Sequence, residues 1–108
     1  MIITYKDNEN TSGYLDFIEK ITITQNKVNK EKCTYLETTG DDRNRKFLKD
    51  FVIKIMPENN KANLYILFKK DLMLACKEIK QLANGEFVAD GIKINMRDVD
   101  YITDTNPT

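Results

Sequence analysis

Five consecutive apolar residues, Leu64-Tyr65-Ile66-Leu67-Phe68, limit the folds open to this chain more than any other stretch. Apolar side chains at odd and even positions alike mean that a strand here would be covered on both faces, which predicts a central strand and not an edge. Lys69-Lys70 then leads into residues 71–84. There Asp71 can serve as an N-cap, Leu72, Ala75, Cys76, Ile79, Leu82 and Ala83 recur at helical spacing, and Asn84-Gly85 supplies a C-terminal stop. The expectation is a principal helix over about residues 71–84, packed on the strand before it.

Strand signals surround this unit. Ile2 to Lys6 reads as a first strand, followed by a loop of turn formers over residues 7–13. Tyr14 to Gln25 reads as a bend or single helical turn near residues 15–18 leading into the β-branched alternation Ile21-Thr22-Ile23-Thr24, with a longer helix as the alternative. A polar connection over residues 26–32 precedes a strand at residues 33–38. Residues 42–56 read as a turn and then a strand, Val52 to Met56, closed by Pro57; a helix with Phe47, Leu48, Phe51, Val52 and Ile55 on one face is the alternative. The plainest local signal is a C-terminal hairpin. Asp90-Gly91 as a two-residue loop pairs Ala89 with Ile92 and Phe87 with Ile94, placing four apolar side chains on one face. Leu48-Lys49-Asp50-Phe51 and Met96-Arg97-Asp98-Val99 share an apolar, basic, aspartate, apolar order, which predicts two similar bends between strands, with Asp capping backbone amides.

The sum is an α+β domain over residues 1–104. It consists of a small curled, mostly antiparallel sheet or partly open barrel of about six or seven strands, one principal helix and a C-terminal hairpin, with residues 105–108 as a frayed tail. A chain of 108 residues is long enough to close one hydrophobic core.

Composition removes several kinds of chemistry. Histidine is absent, which excludes Ser-His and Cys-His pairs, imidazole bases and histidine metal sites. Cys33 and Cys76 form no Cys-x-x-Cys pair, and Asp98, Asp100 and Asp104 lack the spacing and central glycine of a calcium loop. No phosphate-binding glycine motif or dinucleotide fingerprint occurs. The expectation is a protein that is not an enzyme and needs no cofactor. Without a secretory signal or a long apolar stretch it is expected in the cytoplasm, away from membranes, with reduced thiols. Lys, Asn and Ile prevail over Arg, Ala and Leu, the usage of AT-rich codons, which fits a low-GC bacterium or one of its phages or plasmids.

Two surfaces stand out. Seventeen basic residues balance seventeen acidic ones, so a nucleic-acid contact would need a local patch. The candidate is Lys27, Lys30, Lys32, Arg43, Arg45, Lys46 and Lys49, with Tyr35 and Phe47 for base stacking, although Glu31, Glu37, Asp41, Asp42 and Asp50 are interleaved. Met73 and Leu74, with Lys77 beside them, fall off the apolar face of the expected helix and would suit a protein partner or a second copy of the chain. The functional expectation is therefore a cytoplasmic interaction protein, such as an accessory factor, regulator or inhibitor. RNA or single-stranded DNA binding through residues 27–49 is the alternative.

Overall fold

The computed structural model describes residues 1–28 and 30–108, and places twelve strands in chain order. These are β1 (Ile2–Lys6), β2 (Ser12–Leu15), β3 (Ile18–Val28), β4 (Glu31–Gly40), β5 (Arg45–Leu48), β6 (Val52–Met56), β7 (Leu64–Phe68), β8 (Met73–Cys76), β9 (Ile79–Gln81), β10 (Phe87–Ala89), β11 (Ile92–Ile94) and β12 (Val99–Thr103). They form two six-stranded sheets in the orders β11-β10-β9-β6-β1-β2 and β5-β4-β3-β12-β7-β8, and every pairing is antiparallel. Short links carry the chain from one sheet to the other, so a strand's neighbour in sequence is often across the core.

The α+β expectation is overturned: the only helical pieces among the described residues are two three-residue 3-10 turns, Lys49–Phe51 and Met96–Asp98. Residues 71–84 hold β8 and β9, and the signals taken for helix caps are turn signals. Asp71 has φ 58° and sits in the tight connection that closes the β7–β8 hairpin, where the Phe68 N–H donates to the Leu72 carbonyl at 2.8 Å. Gly85, at φ 88°, lies in the turn joining β9 to β10, where the Leu82 N–H donates to the Glu86 carbonyl at 2.7 Å. Aspartate and Asn-Gly tolerate the left-handed region wherever a chain reverses, so they mark hairpins as readily as helix ends. What decides between the two is pairing. As a strand, β8 completes the hydrogen bonds of β7 and turns Leu74 and Cys76 inward together.

β7 is interior in its sheet, between β12 and β8, but it is not covered on both faces. Leu64 and Ile66 point into the core and are fully buried, whereas Tyr65 and Leu67 lie half-buried on the outer face. Residues 12–28 form β2 and β3 with no helical turn, and the bend between them falls at Phe17, φ 57°. Residues 42–56 form β5, a 3-10 turn and β6 in place of a helix. The polar connection expected over 26–32 is the tip of the long β3–β4 hairpin, with Lys27 opposite Lys32; Asn29 lies outside the described residues.

The C-terminal hairpin has the expected register, Phe87 opposite Ile94 and Ala89 opposite Ile92, with Asp90 and Gly91 both at positive φ as a two-residue reversal requires. The two related tetrapeptides both mark corners where the chain changes sheets. Neither corner is capped by its aspartate: Asn95 accepts from the Arg97 N–H in one, and the other has no side-chain cap.

One core lies between the sheets. Across the first sheet the inward row runs Leu15, Ile3, Ile55, Ile79, Ala89, Ile92; across the second, Leu74, Ile66, Ile102, Ile21, Thr38, Arg45. Thr38 is the buried polar member, and its hydroxyl is satisfied by the Arg43 carbonyl at 2.6 Å and the Arg45 N–H at 3.0 Å. Near one end the Met1 ammonium is enclosed by the Ile18 carbonyl, Asp104 at 3.0 Å and Glu58 at 3.5 Å. That clasp ties the start of β1 to the end of β12 and to the β6–β7 link.

Candidate partner-binding groove

Two facing sheets leave a lateral opening on each side, and here the two openings are treated differently. On the side of β2 and β5 the opening is plugged. Arg45 ends the inward row of the second sheet, lays its guanidinium 4.8 Å from the ring centroids of both Tyr5 and Phe47, and donates to the Tyr5 hydroxyl at 2.8 Å. The two rings pack at 4.7 Å from opposite sheets. Gly13, opposite Tyr5 in register, leaves room for the Tyr5 ring, whose atoms would lie 3.0–3.3 Å from any Cβ added there. Arg43 reaches Asp16 at 3.7 Å across the same side.

On the side of β8 and β11 the opening is unplugged. A groove of about 540 Å³ runs between these two edge strands, with Phe68, Leu74 and Ile94 toward the core and Leu72, Met73 and Ile92 on the rim. The three rim side chains are 65%, 45% and 55% exposed. Ile92 belongs to the inward apolar row of its sheet yet meets water at that sheet's edge. Lys93, Asn95 and Asp98 add the polar part of the wall, with Lys93 held by Glu86 at 3.1 Å. Large apolar side chains gathered on a rim are the usual mark of a contact surface, whereas isolated ones need no explanation. A more polar hollow of about 560 Å³ beside Lys6, Asp50, Ile53 and Gln81 has no comparable cluster.

β8 is also an unguarded edge. Its sequence, Met-Leu-Ala-Cys, has no charge and no proline, whereas β5 carries Arg45 and Lys46 and β11 carries Lys93. The Phe68–Leu72 hydrogen bond fixes the alternation along the hairpin. Leu74 and Cys76 turn their backbone groups toward β7, and Met73 and Ala75 turn theirs away from the sheet.

Of the residues expected to contact a protein partner, Met73 and Leu74 line this groove and Lys77 does not. Lys77 is exposed past the end of β8, its ammonium 3.3 Å from the Lys61 carbonyl and its N–H bonded to Asp90 at 2.8 Å. Leu72, assigned from the sequence to the buried face of a helix, is the most exposed residue of the rim. Ile92 was visible as one of four residues sharing a hairpin face, but not as a residue of an edge strand, which is where the structure places it.

The residues expected to contact nucleic acid are dispersed. Phe47 is 5% exposed in the core, where it cannot stack on a base. Arg45 is occupied in the plug and Arg43 with Asp16. Lys46 lies 3.7 Å from Glu37 and 4.5 Å from the Tyr35 ring centroid. Lys27, Lys30 and Lys32 sit together at the β3–β4 tip, while half-buried Lys49 lies at the corner after β5.

Among the described residues no three of His, Cys, Asp and Glu converge as a metal-holding group, and no helix is long and apolar enough to cross a membrane. Cys76 is buried, and burial, reinforced by the charge of Asp90, pushes its thiol up to about 12, away from the thiolate form a nucleophile needs. Neither family models, nor curated proteins, nor solved structures give a match to this chain.

Proposed function

We propose that this chain is a protein-binding module, acting without catalysis as an accessory factor, regulator or inhibitor, and that it takes its partner in the groove between β8 and β11. The observation that carries this reading is the contrast between the two lateral openings: one is filled by Arg45, Tyr5 and Phe47, and the other leaves Leu72, Met73 and Ile92 in water above an apolar floor. An extended segment fits such a place. It can lay alternate side chains into the groove while its backbone pairs with an edge strand, so that affinity comes from main-chain hydrogen bonds and selectivity from the pockets.

The test is retention of a partner from the native host by wild type and by a Leu72→Ser/Ile92→Ser double variant. Both positions are exposed, so the double variant should fold like the parent. A protein held by wild type and released by the variant supports the groove; equal retention by both rejects it.

The alternative, RNA or single-stranded DNA binding, rests on Lys27, Lys30 and Lys32 at the β3–β4 tip with Tyr35 on the outer face. A mobility shift with mixed RNA and single-stranded DNA at low salt tests it, since phosphate contacts are strongest there. No shift rejects that alternative.

A further inference from the structure

A cleft that shares no residue with the groove lies where β5 parts from β4. β5 pairs with β4 only along residues 35–38 of the latter, because the chain then leaves the sheet in the 3-10 turn Lys49–Phe51. Residues 31–34 of β4 are therefore paired with β3 on one side and present a free edge on the other, with alternate backbone N–H groups open. That edge is one wall of a cleft of about 240 Å³; Lys49 and Asp50 of the corner after β5, and Arg97 of the corner before β12, stand in the others. Three cations thus reach one cleft from three separate elements. Lys32 lies on the face of β4 that buries Leu36 and Thr34, and is the first of that row, going toward the hairpin tip, to meet solvent. Lys49 is half-buried. Among the described residues neither of these lysines nor Arg97 forms an ion pair, although Glu31 and Asp50 line the same cleft. Converging cations that no side chain neutralises repel one another, most where water is partly excluded, and a bound anion removes that cost.

We infer that this cleft binds a small phosphate monoester carrying hydroxyl groups, a ligand of the sugar-phosphate class. The phosphoryl group is what the cations select. It brings about two charges and three terminal oxygens, enough for a guanidinium fork, two ammonium groups and an edge N–H, whereas a carboxylate offers one charge and two oxygens in a plane. Glu31 and Asp50 would repel a bare anion, but they accept hydrogen bonds from sugar hydroxyls, as acidic side chains do at ribose. The volume sets the size: it falls below the roughly 300–1,000 Å³ of pockets for drug-sized ligands, which suits one sugar ring. The internal phosphates of a nucleic-acid strand carry a single charge each, so a terminal monoester matches the three cations better.

Isothermal titration calorimetry at low ionic strength tests this with ribose 5-phosphate, inorganic phosphate, ribose and a single-stranded oligonucleotide without terminal phosphate. The proteins are wild type, Lys32→Gln/Arg97→Gln and Lys54→Gln/Lys80→Gln. The last variant removes the same charge from the outer face of the other sheet, where Lys54 and Lys80 lie opposite one another. Lys32 and Arg97 are exposed, so their variant should fold like the parent. Ribose 5-phosphate should bind wild type and the Lys54/Lys80 variant alike, and the Lys32/Arg97 variant about tenfold more weakly. Inorganic phosphate should bind wild type less tightly than ribose 5-phosphate does, and ribose should not bind. Failure of ribose 5-phosphate to bind, equal affinity for inorganic phosphate, or equal losses in both variants overturns the inference. So does an oligonucleotide that binds more tightly than ribose 5-phosphate.

Discussion

Arg45 and Tyr5, forty residues apart in sequence, meet across the core: the guanidinium donates to the phenol oxygen at 2.8 Å and lies 4.8 Å from the ring centroid. This contact joins β5 of one sheet to β1 of the other on the side where no strand closes the opening. Arg45→Ala should cost about 1–2 kcal/mol, a cation-π contact plus one hydrogen bond, measured by urea denaturation. Arg45→Lys should recover only part of this, because an ammonium has no planar face to lie on the rings. A variant as stable as wild type would show that the plug adds nothing.

Gly40 meets the backbone at the β2–β3 corner, and a Cβ there would stand 2.5 Å from the Phe17 carbonyl oxygen. Phe17 cannot retreat easily, since it already holds φ 57° with its N–H bonded to the Glu58 carboxylate. Gly40→Ala should destabilise by about 2 kcal/mol or more, read from thermal unfolding. Gly91→Ala is a useful comparison, because its added carbon meets nothing within 4 Å and its cost is confined to the backbone at φ 84°.

Ile66 is fully buried between Ile102 on β12 and Leu74 on β8. Ile66→Asp forces an unpaired charge inside and should cost on the order of 5 kcal/mol, a large share of a small domain's stability. Circular dichroism should report its unfolding, and the wild-type spectrum itself should carry no helical signature. A strong helical spectrum would contradict the two-sheet fold outright.

Cys76 supplies a pH dependence. Its folded pKa, about 12, stands above the ordinary 9.0, because burial and then Asp90 disfavour the thiolate. The folded state therefore holds its proton longer than the unfolded one. The associated stability is complete below pH 9 and is lost as pH rises toward 12, on the order of 2 kcal/mol by pH 11. Comparing wild type with Cys76→Ala across this range isolates the contribution. Alkylation of native protein near pH 8 should modify half-exposed Cys33 and spare Cys76.

Local signals in a sequence specify structure where one physical rule acts alone. Asp90-Gly91 defines its hairpin because a two-residue reversal needs both residues at positive φ and sets the register by itself. The Leu48 and Met96 tetrapeptides do mark corners, but not through the aspartate caps expected of them: Asn95 caps one and no side chain caps the other. Residues 71–84 form strands despite helical signals because Asp71, Asn84 and Gly85 are compatible with a helix and with two hairpins, and Leu72, Cys76 and Ile79 fit a period of 3.6 by coincidence with two short strands. Pairing to β7 and to β6 settles the matter, and pairing is not local. The same holds for the groove: Met73 and Leu74 could be singled out from the sequence, but the exposure of Leu72 beside a hairpin turn and of Ile92 on an edge strand follows from the strand order, which is not local.

β12 lies in the middle of its sheet, between β3 and β7, although it follows both of them in the chain by more than thirty residues in one case and seventy in the other. Until residues 99–103 leave the ribosome, β3 and β7 present two open edges with nothing to fill the gap. The sheet cannot zip up progressively as the chain emerges, so a stalled or clipped product lacking this strand is exposed to sticking to its neighbours. Closure of this sheet thus waits on the synthesis of residues 99–103.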